Sequence, residues 1–581
     1  MSELKEWTLM FYFASDNDLA PIVVSQLKAI KDAGFQENVD VLVHFDPNEF
    51  GVPTRLYDVN RERKRKKRGQ HKTMIGDGKD PFVRNMSEDD VRPDAIVARA
   101  GSQSAVLLQA LLNPDSINAE EELGSFLGFC RENHKARHYM LFLVGHGMVV
   151  GNDAFLPDDN PISAITLKKL GEILKGFSDK VKDEGSVFEL LALHSCSLSA
   201  IEVAYELKGT AKYMMAAEGP AFVNGWPYRQ LLKKIFNNLE KVRRSEQKSA
   251  KGRRRRRGGA EKGLPIDVDD LVERLYFLTL FNATDFLLAG YSHDLALCRL
   301  NEEEKFGPIT AAIQQLVARL KQGLAQSKGK KGTPATERGN RIKELVLLSH
   351  WEAQSYWEEN YTDLLDFCRC LRERCGQKND LKDLRDACSE VMDKLTEIII
   401  HSDNFGATSQ YSHGLAVYFP WARPVEIVPK RGTTRRKKGA EKYADENKPV
   451  LERYAEYAFT EELQKSGGNS WLSFLDSYFK ETMRPSRIEE DKAVGRAVRS
   501  RPKAFAIARS NFDPLGELSN LNFTLKTSPK TGPDCSCPSI KNYPQETKDK
   551  GPEEAQGKII KNADSFAISK GALQAFKTES K

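Results

Sequence analysis

The stretch Val187–Leu207, VFELLALHSCSLSAIEVAYEL, sets the architecture expected of this chain. Its first part, Val187 to Leu193, is an unbroken apolar run of the kind that makes a strand covered on both faces. The run breaks at His194, Ser195 and Cys196. Helical spacing then resumes through Ile201, Ala204, Tyr205 and Leu207. Cys196 is therefore expected at the carboxyl end of a strand, just before a helix. In open α/β sheets that edge is where ligands bind, and nearby helix-terminal N–H groups favour a thiolate.

A lone cysteine in such a place is more often core filler than chemistry. A second stretch changes that balance. His138–Gly147, HYMLFLVGHG, is another apolar strand, and it ends in Gly145-His146-Gly147. The glycines permit a sharp turn and a close approach of backbone to substrate. Its imidazole also leaves a strand at the carboxyl end, about fifty residues before Cys196. A cysteine and a histidine gathered on one sheet edge form a nucleophile and its general base.

Around these two strands the order of elements alternates. Trp7 to Ala14 reads as a buried strand, Leu19 to Ala33 as a helix and Val39 to Phe45 as a second strand. Ser102–Leu112, Glu120–Arg131 and Thr166–Phe177 read as helices, and Ala211–Ala217 as a short strand leading into the Gly/Pro-rich loop Glu218–Tyr228. Such alternation predicts a mostly parallel sheet covered on both faces. Further on, Leu231–Val242, Leu271–Leu288, Ile309–Leu324, Trp351–Arg374 and Ser470–Phe479 read as helices, and Gly414–Pro420 as a strand.

Four basic runs punctuate the chain: 61–68, 243–262, 326–341 and 430–448. The simplest reading is solvated insertion loops. Nucleic-acid binding is disfavoured because the charges lack aromatic interleaving, Tyr443 being the one aromatic residue in the four runs. The expected organisation is a core over 1–235, a basic linker over 236–263, the remainder of the same unit over 264–484, and a poorly ordered tail over 485–581. The 581 residues carry a net charge of +6, with 40% hydrophobic and 29% charged residues, which describes an ordinary globular protein with a generous charged surface. Nine cysteines without disulfide-like spacing, no signal-peptide pattern and no bilayer-length apolar run lead to the expectation of a cytoplasmic protein.

Five blocks together resemble the clostripain-type cysteine peptidases, relatives of the caspases, gingipains and legumain. They are WTLMFYFASDNDL from Trp7, LFLVGHG from Leu141, HSCSLSAIEVAYEL from His194, GWPY at 225–228 and SHGLAVYFP at 412–420. The resemblance implies a caspase-like α/β/α sandwich with additional helical elements toward the C-terminus. It also implies endopeptidase activity on protein or peptide substrates, with Cys196 as nucleophile, His146 as base and later acid, and the N–H groups of Gly147 and Cys196 as oxyanion hole. It further implies a precursor cut in an exposed linker, for which 243–262 and Lys175–Glu184 are the candidates and a separate protease or regulator the agent.

The sequence departs from the pattern that accompanies cleavage after Arg or Lys. Where such relatives carry Asp two residues before the nucleophile and Asp just before the later Gly-Trp, this chain has His194 and Asn224. A pocket made by His194, Asn224 and Trp226 is then expected to take an uncharged or acidic P1 side chain, with Glu218 the remaining nearby acid. No metal is required by this chemistry. Calcium is the one cofactor the family suggests, with Asp153, Asp158 and Asp159 or Asp16, Asn17 and Asp18 as candidate ligands, the latter group read equally well as a helix cap. Cys368, Cys370 and Cys375, the tail pair Cys535 and Cys537, and His413 lack metal-ligand spacing and read as structural. Two other readings of the chain remain: a caspase-fold adaptor that recruits protein or nucleic acid, and a regulated protease of a bacterial defence or cell-death pathway.

Overall fold

A computed structural model describes residues 4–17, 19–46, 55–60, 83–84, 118–147, 155–159, 162–253, 267–282, 291–356, 359–424, 449–465 and 468–482. The tail 485–581, the basic runs 61–68 and 430–448, residues 254–263 of the expected linker, and the helix expected at 102–112 lie outside them.

The strands, in chain order, are β1 Lys5–Phe13, β2 Val39–Phe45, β3 Arg55–Asp58, β4 Val83–Arg84, β5 Ala136–Val144, β6 Phe155–Asp159, β7 Ile162–Ile165, β8 Val187–His194, β9 Tyr213–Ala216, β10 His293–Arg299, β11 Ser355–Tyr356, β12 Tyr361–Asp363, β13 Ile399–Phe405 and β14 Ala416–Tyr418. Nine of them form one sheet in the order β13-β10-β9-β8-β5-β1-β2-β3-β4. Its centre is parallel: β2 with β1, β1 with β5, β5 with β8 and β8 with β9. Antiparallel strands β10 and β13 close one side.

Alternation along each central strand feeds two separate cores. Leu9, Phe11, Phe13, Met140, Phe142, Leu190 and Ala192 face one layer, with α1 Ala20–Lys31 and the later helices Tyr228–Arg253 and Val268–Asn282 packed on it. Met10, Tyr12, Leu141, Leu143, Leu191 and Leu193 face the other. That side carries α2 Ala119–Asn133, α3 Leu167–Asp183 and α4 Ile201–Leu207. The same core continues into Phe306–Gln326, Pro334–Glu352, Leu364–Cys375, Lys382–Thr396 and Trp471–Thr482. The result is the expected α/β/α sandwich, with helices on both faces and extra helices on one.

Several expectations are corrected. The segment 175–184 is no linker: α3 runs through it to Asp183, capped by Thr166 and paired internally by Lys175–Asp179 at 3.0 Å. The basic stretch 326–341 is a short turn followed by a helix that starts at Pro334 with Thr333 as its cap. Trp351–Arg374 is two helices separated by β11 and β12. The helix from Tyr228 continues to Arg253, across the boundary expected at 235. Strand β10, HDLALCR, has charged or polar ends that mask a five-residue buried centre.

Candidate active site

Register places the two key residues. Val144 of β5 pairs with His194 of β8, and β5 in turn pairs with β1 through Phe13 and Val144. His146 is two residues past Val144, and Cys196 two past His194. Parallel neighbours lie about 4.8 Å apart, so the imidazole and the thiol leave adjacent strands at the same height. One contact proves the intimacy. A Cβ added to Gly147 would sit 1.9 Å from the carbonyl oxygen of Cys196 and 3.0 Å from its nitrogen. Only glycine lets the histidine loop lie against the cysteine turn this closely.

The cysteine turn, and the strand β6 that backs the histidine loop, each hold one residue in a costly conformation. Ser197, directly after Cys196, has φ +55°, and Leu156, whose N–H reaches the carbonyl of His146 at 3.4 Å, has φ +49°. Left-handed φ at non-glycine residues costs on the order of 1–3 kcal/mol and gathers at functional sites. His146 and Cys196 are 2% and 4% exposed. Cys196 is disulfide-bonded, whereas the six other described cysteines are free and buried. The chemistry proposed below concerns its reduced form.

The loop after β9 runs beside the cysteine turn like an extra strand. Ser199 N–H donates to Ala217 O at 2.8 Å and Ser197 N–H to Gly219 O at 3.0 Å. Ala221 N–H points at Cys196 Sγ at 3.4 Å. A donor aimed at sulfur favours the thiolate over the thiol.

His194 and Glu218, expected as pocket groups, are both buried and engaged by partners inside the protein. His194 is 3% exposed, and both ring nitrogens are used: Nε2–H donates to Phe222 O at 2.8 Å and Nδ1 accepts from Tyr228 OH at 2.6 Å. Its ring stacks on Trp226 at 4.7 Å, and Trp226 itself is core, 5% exposed. Burial pulls the imidazole down to about 4, so it is neutral at physiological pH. Glu218 is buried and turned inward, its Oε2 accepting from Gly414 N–H at 3.1 Å with Tyr356 OH at 3.4 Å. Burial, and then the neighbouring carboxylates of Asp363 and Asp294, hold its pKa well above the usual carboxylate range. A carboxyl turned inward onto Gly414 and Tyr356 is not presented to a P1 side chain. Asn224 is half-buried, and its Oδ1 accepts from Ser25 Oγ and Gln26 Nε2, both at 2.8 Å.

Sequence reasoning missed Asp294. Its carboxylate is 4% exposed on β10 and accepts from Glu218 N–H at 2.6 Å and Gly219 N–H at 3.1 Å. Burial lifts it to about 7, against the lowering effect of those two N–H groups. No motif surrounds it, and its partner residues lie more than seventy positions earlier.

The acidic candidates converge only in part. Asp16, Asp46 and Asp158 bring oxygens within 4.8 Å of one another at the carboxyl ends of β1 and β2 and on β6. An all-carboxylate donor set fits a hard cation such as Ca2+. Asp18 and Asp153 lie outside the described residues, and Asn17 instead accepts from Leu19 N–H at the entry to α1 and donates to Pro157 O. Cys368, Cys370 and Cys375 are buried in a helix of the extended core. His413 is held beside Asp366 at 3.8 Å.

A thiol and an imidazole following neighbouring parallel strands of a layered sheet are an arrangement that suits a cysteine endopeptidase. The chain belongs to the clostripain family (Peptidase C11), whose pattern matches residues 11–478. It is 23% identical to clostripain of Hathewaya histolytica over 456 residues, 71% of this chain and 74% of that protein. Among solved structures it is similar to a secreted C11 cysteine protease from Bacteroides thetaiotaomicron in complex with an irreversible peptide inhibitor (12% identity, TM-score 0.41, covering 80% of this chain and 100% of that one). An inactive zymogen C11 protease from Parabacteroides distasonis is similar at 15% identity and a TM-score of 0.40, covering 80% and 99%. Among the described residues no helix is long and apolar enough to cross a membrane.

Proposed function

We propose that the protein hydrolyses peptide bonds in protein substrates with Cys196 as nucleophile and His146 as acid–base partner. The contact that carries this reading is Gly147 lying against the Cys196 backbone. The Cys196 thiolate attacks the scissile carbonyl carbon. The tetrahedral oxyanion takes hydrogen bonds from the N–H groups of Gly147 and Cys196, a kind of stabilisation worth about 3 kcal/mol per donor. Protonated His146 gives its proton to the leaving amine, and the C–N bond breaks. His146 then removes a proton from water, which attacks the thioester and releases the acid and the free thiol. A peptide bearing an electrophilic ketone should label Cys196 in the reduced protein, and Cys196→Ala should neither be labelled nor cleave peptides. Labelling that persists in Cys196→Ala, or cleavage by it, refutes the assignment.

Specificity follows from the missing acids. With His194 neutral and spanning Phe222 to Tyr228, Glu218 turned inward, and an amide at 224, the loop supplies no fixed carboxylate of these three to a P1 guanidinium. Burying Arg without a counter-charge is strongly unfavourable, so P1 is uncharged. Asn224→Asp keeps an acceptor for both Ser25 and Gln26 and adds a negative charge. A charge-assisted hydrogen bond contributes about 1.5–3 kcal/mol, so the kcat/KM ratio for Arg over a neutral P1 should rise about tenfold or more. Peptide-library profiling of both proteins reads this out. A strong Arg preference already present in the natural chain refutes it.

Burial of both reacting side chains means that substrate entry requires displacement of whatever covers them. Cleavage by a separate protease within the part of 243–262 that follows the helix ending at Arg253 is the activating step that fits the basic composition there.

A further inference from the structure

We infer that Asp294 is a positioning residue for the nucleophile, acting through the 217–221 loop to hold the Cys196–Ser197 turn; the inference rests on the reading of Cys196 given above. The observations form a chain of hydrogen bonds. Asp294 lies two residues beyond the end of the β9–β10 ladder, where Ala296 pairs with Ala216. There its carboxylate forks onto the N–H groups of Glu218 and Gly219. Gripping two successive amides fixes the peptide planes leading into Gly219, and Pro220 next in sequence restricts Gly219 to extended ψ, so the Gly219 carbonyl that accepts the N–H of Ser197 is held in direction. Two residues on, Ala221 N–H meets Cys196 Sγ.

The fit around the carboxylate is tight. A Cβ on Gly219 would sit 2.7 Å from Asp294 Oδ2 and 3.1 Å from the Tyr356 ring. Ser197 is where the grip is needed. Its φ of +55° is unfavourable for a side-chain-bearing residue, and its hydroxyl is buried without a hydrogen-bond partner among the described residues. Nothing in the serine itself favours the turn, so the turn is held from outside. The loop is fixed on its other flank as well, by Glu218 accepting from Gly414 N–H, while Ser199 Oγ donates to Gly414 O.

The test is a double-variant cycle of Asp294→Asn with Ser197→Gly, in the full chain after reduction. The amide keeps one acceptor but turns an NH2 toward a backbone N–H, so it opens the fork. Iodoacetamide alkylation of Cys196, followed across pH by peptide-mapped mass spectrometry, should be about tenfold slower at pH 7 in Asp294→Asn, with its midpoint raised. On peptide substrate kcat should fall about tenfold while KM stays within about twofold. Glycine accepts the left-handed turn without the grip. Ser197→Gly should therefore raise the melting temperature more in the Asp294→Asn background than in the natural chain, and should restore folding if Asp294→Asn alone fails to fold. Equal effects of Ser197→Gly in both backgrounds, an alkylation profile unchanged by Asp294→Asn, or failure of the double variant to fold would each overturn the inference. Absence of peptide-electrophile labelling in the natural chain would instead overturn the nucleophile assignment.

Discussion

Gly147→Ala should reduce kcat/KM by at least about a hundredfold, since misplacing reacting groups by roughly 1 Å is enough for a loss of that size. The added methyl cannot be accommodated by a rotamer change, because the atom it strikes is the Cys196 carbonyl oxygen at 1.9 Å, and the next two are also backbone. Either the His146 loop lifts away from β8 or the cysteine turn is pushed off β5. Both movements separate the imidazole from the thiol. Overpacking of this kind also costs about 1–3 kcal/mol of stability, so the variant should melt earlier yet remain folded. Activity and melting temperature measured on the same preparation check both parts. An alanine variant as active as the natural chain would mean that the two loops are not in contact in solution.

The second large effect is expected at His194. Replacing it with alanine removes a ring stacked on Trp226 and leaves the Phe222 carbonyl and the Tyr228 hydroxyl without their shared partner. Cavity and unsatisfied polar groups together cost about 3–5 kcal/mol. The pH dependence separates this role from that of a surface histidine. The folded-state value, about 4, lies below the ordinary 6.5. The unfolded chain therefore binds the proton more readily between those values. The stability contributed by neutral His194 is complete above about pH 6.5, declines as pH falls, and is lost once pH passes the folded value near 4. The integral is about 3 kcal/mol. His293, lowered to about 4, and His350, lowered to about 3, both by burial, act in the same direction. Urea midpoints between pH 7 and pH 4 should accordingly fall less steeply in His194→Gln than in the natural chain. Parallel slopes would refute the neutral, doubly bonded histidine.

These residues also show what a sequence can and cannot display. The sheet's parallel centre was legible because β1, β5 and β8 are long apolar runs, and strands covered on both faces have no other way to look. His146 and Cys196 were legible because each follows such a run. The directions of side chains near them were not. His194 and Glu218 sit where pocket residues would sit along the chain, yet both turn into the protein, one bridging a loop and the other joining buried acids. Burial decides that, and burial belongs to the assembled molecule. β10 was lost for a related reason: seven residues with polar ends look like a connection between helices until β9 and β13 flank them. With β10 went Asp294. The interrupted helix after Trp351 failed for want of a strong breaker, since β11 and β12 are only two and three residues long.

The cysteine turn leans on partners far down the chain. Ala200 forms an isolated parallel bridge with Ala416, Ala416 N–H donates to Ser199 O at 2.9 Å, and Ser199 Oγ reaches Gly414. Translation proceeds at about 5–20 residues per second, so some tens of seconds separate the emergence of these two halves from the ribosome. Throughout that interval the nascent polypeptide carries Cys196 on an unfinished scaffold. The turn that presents this sulfur is thus completed only after the greater part of the polypeptide has been made.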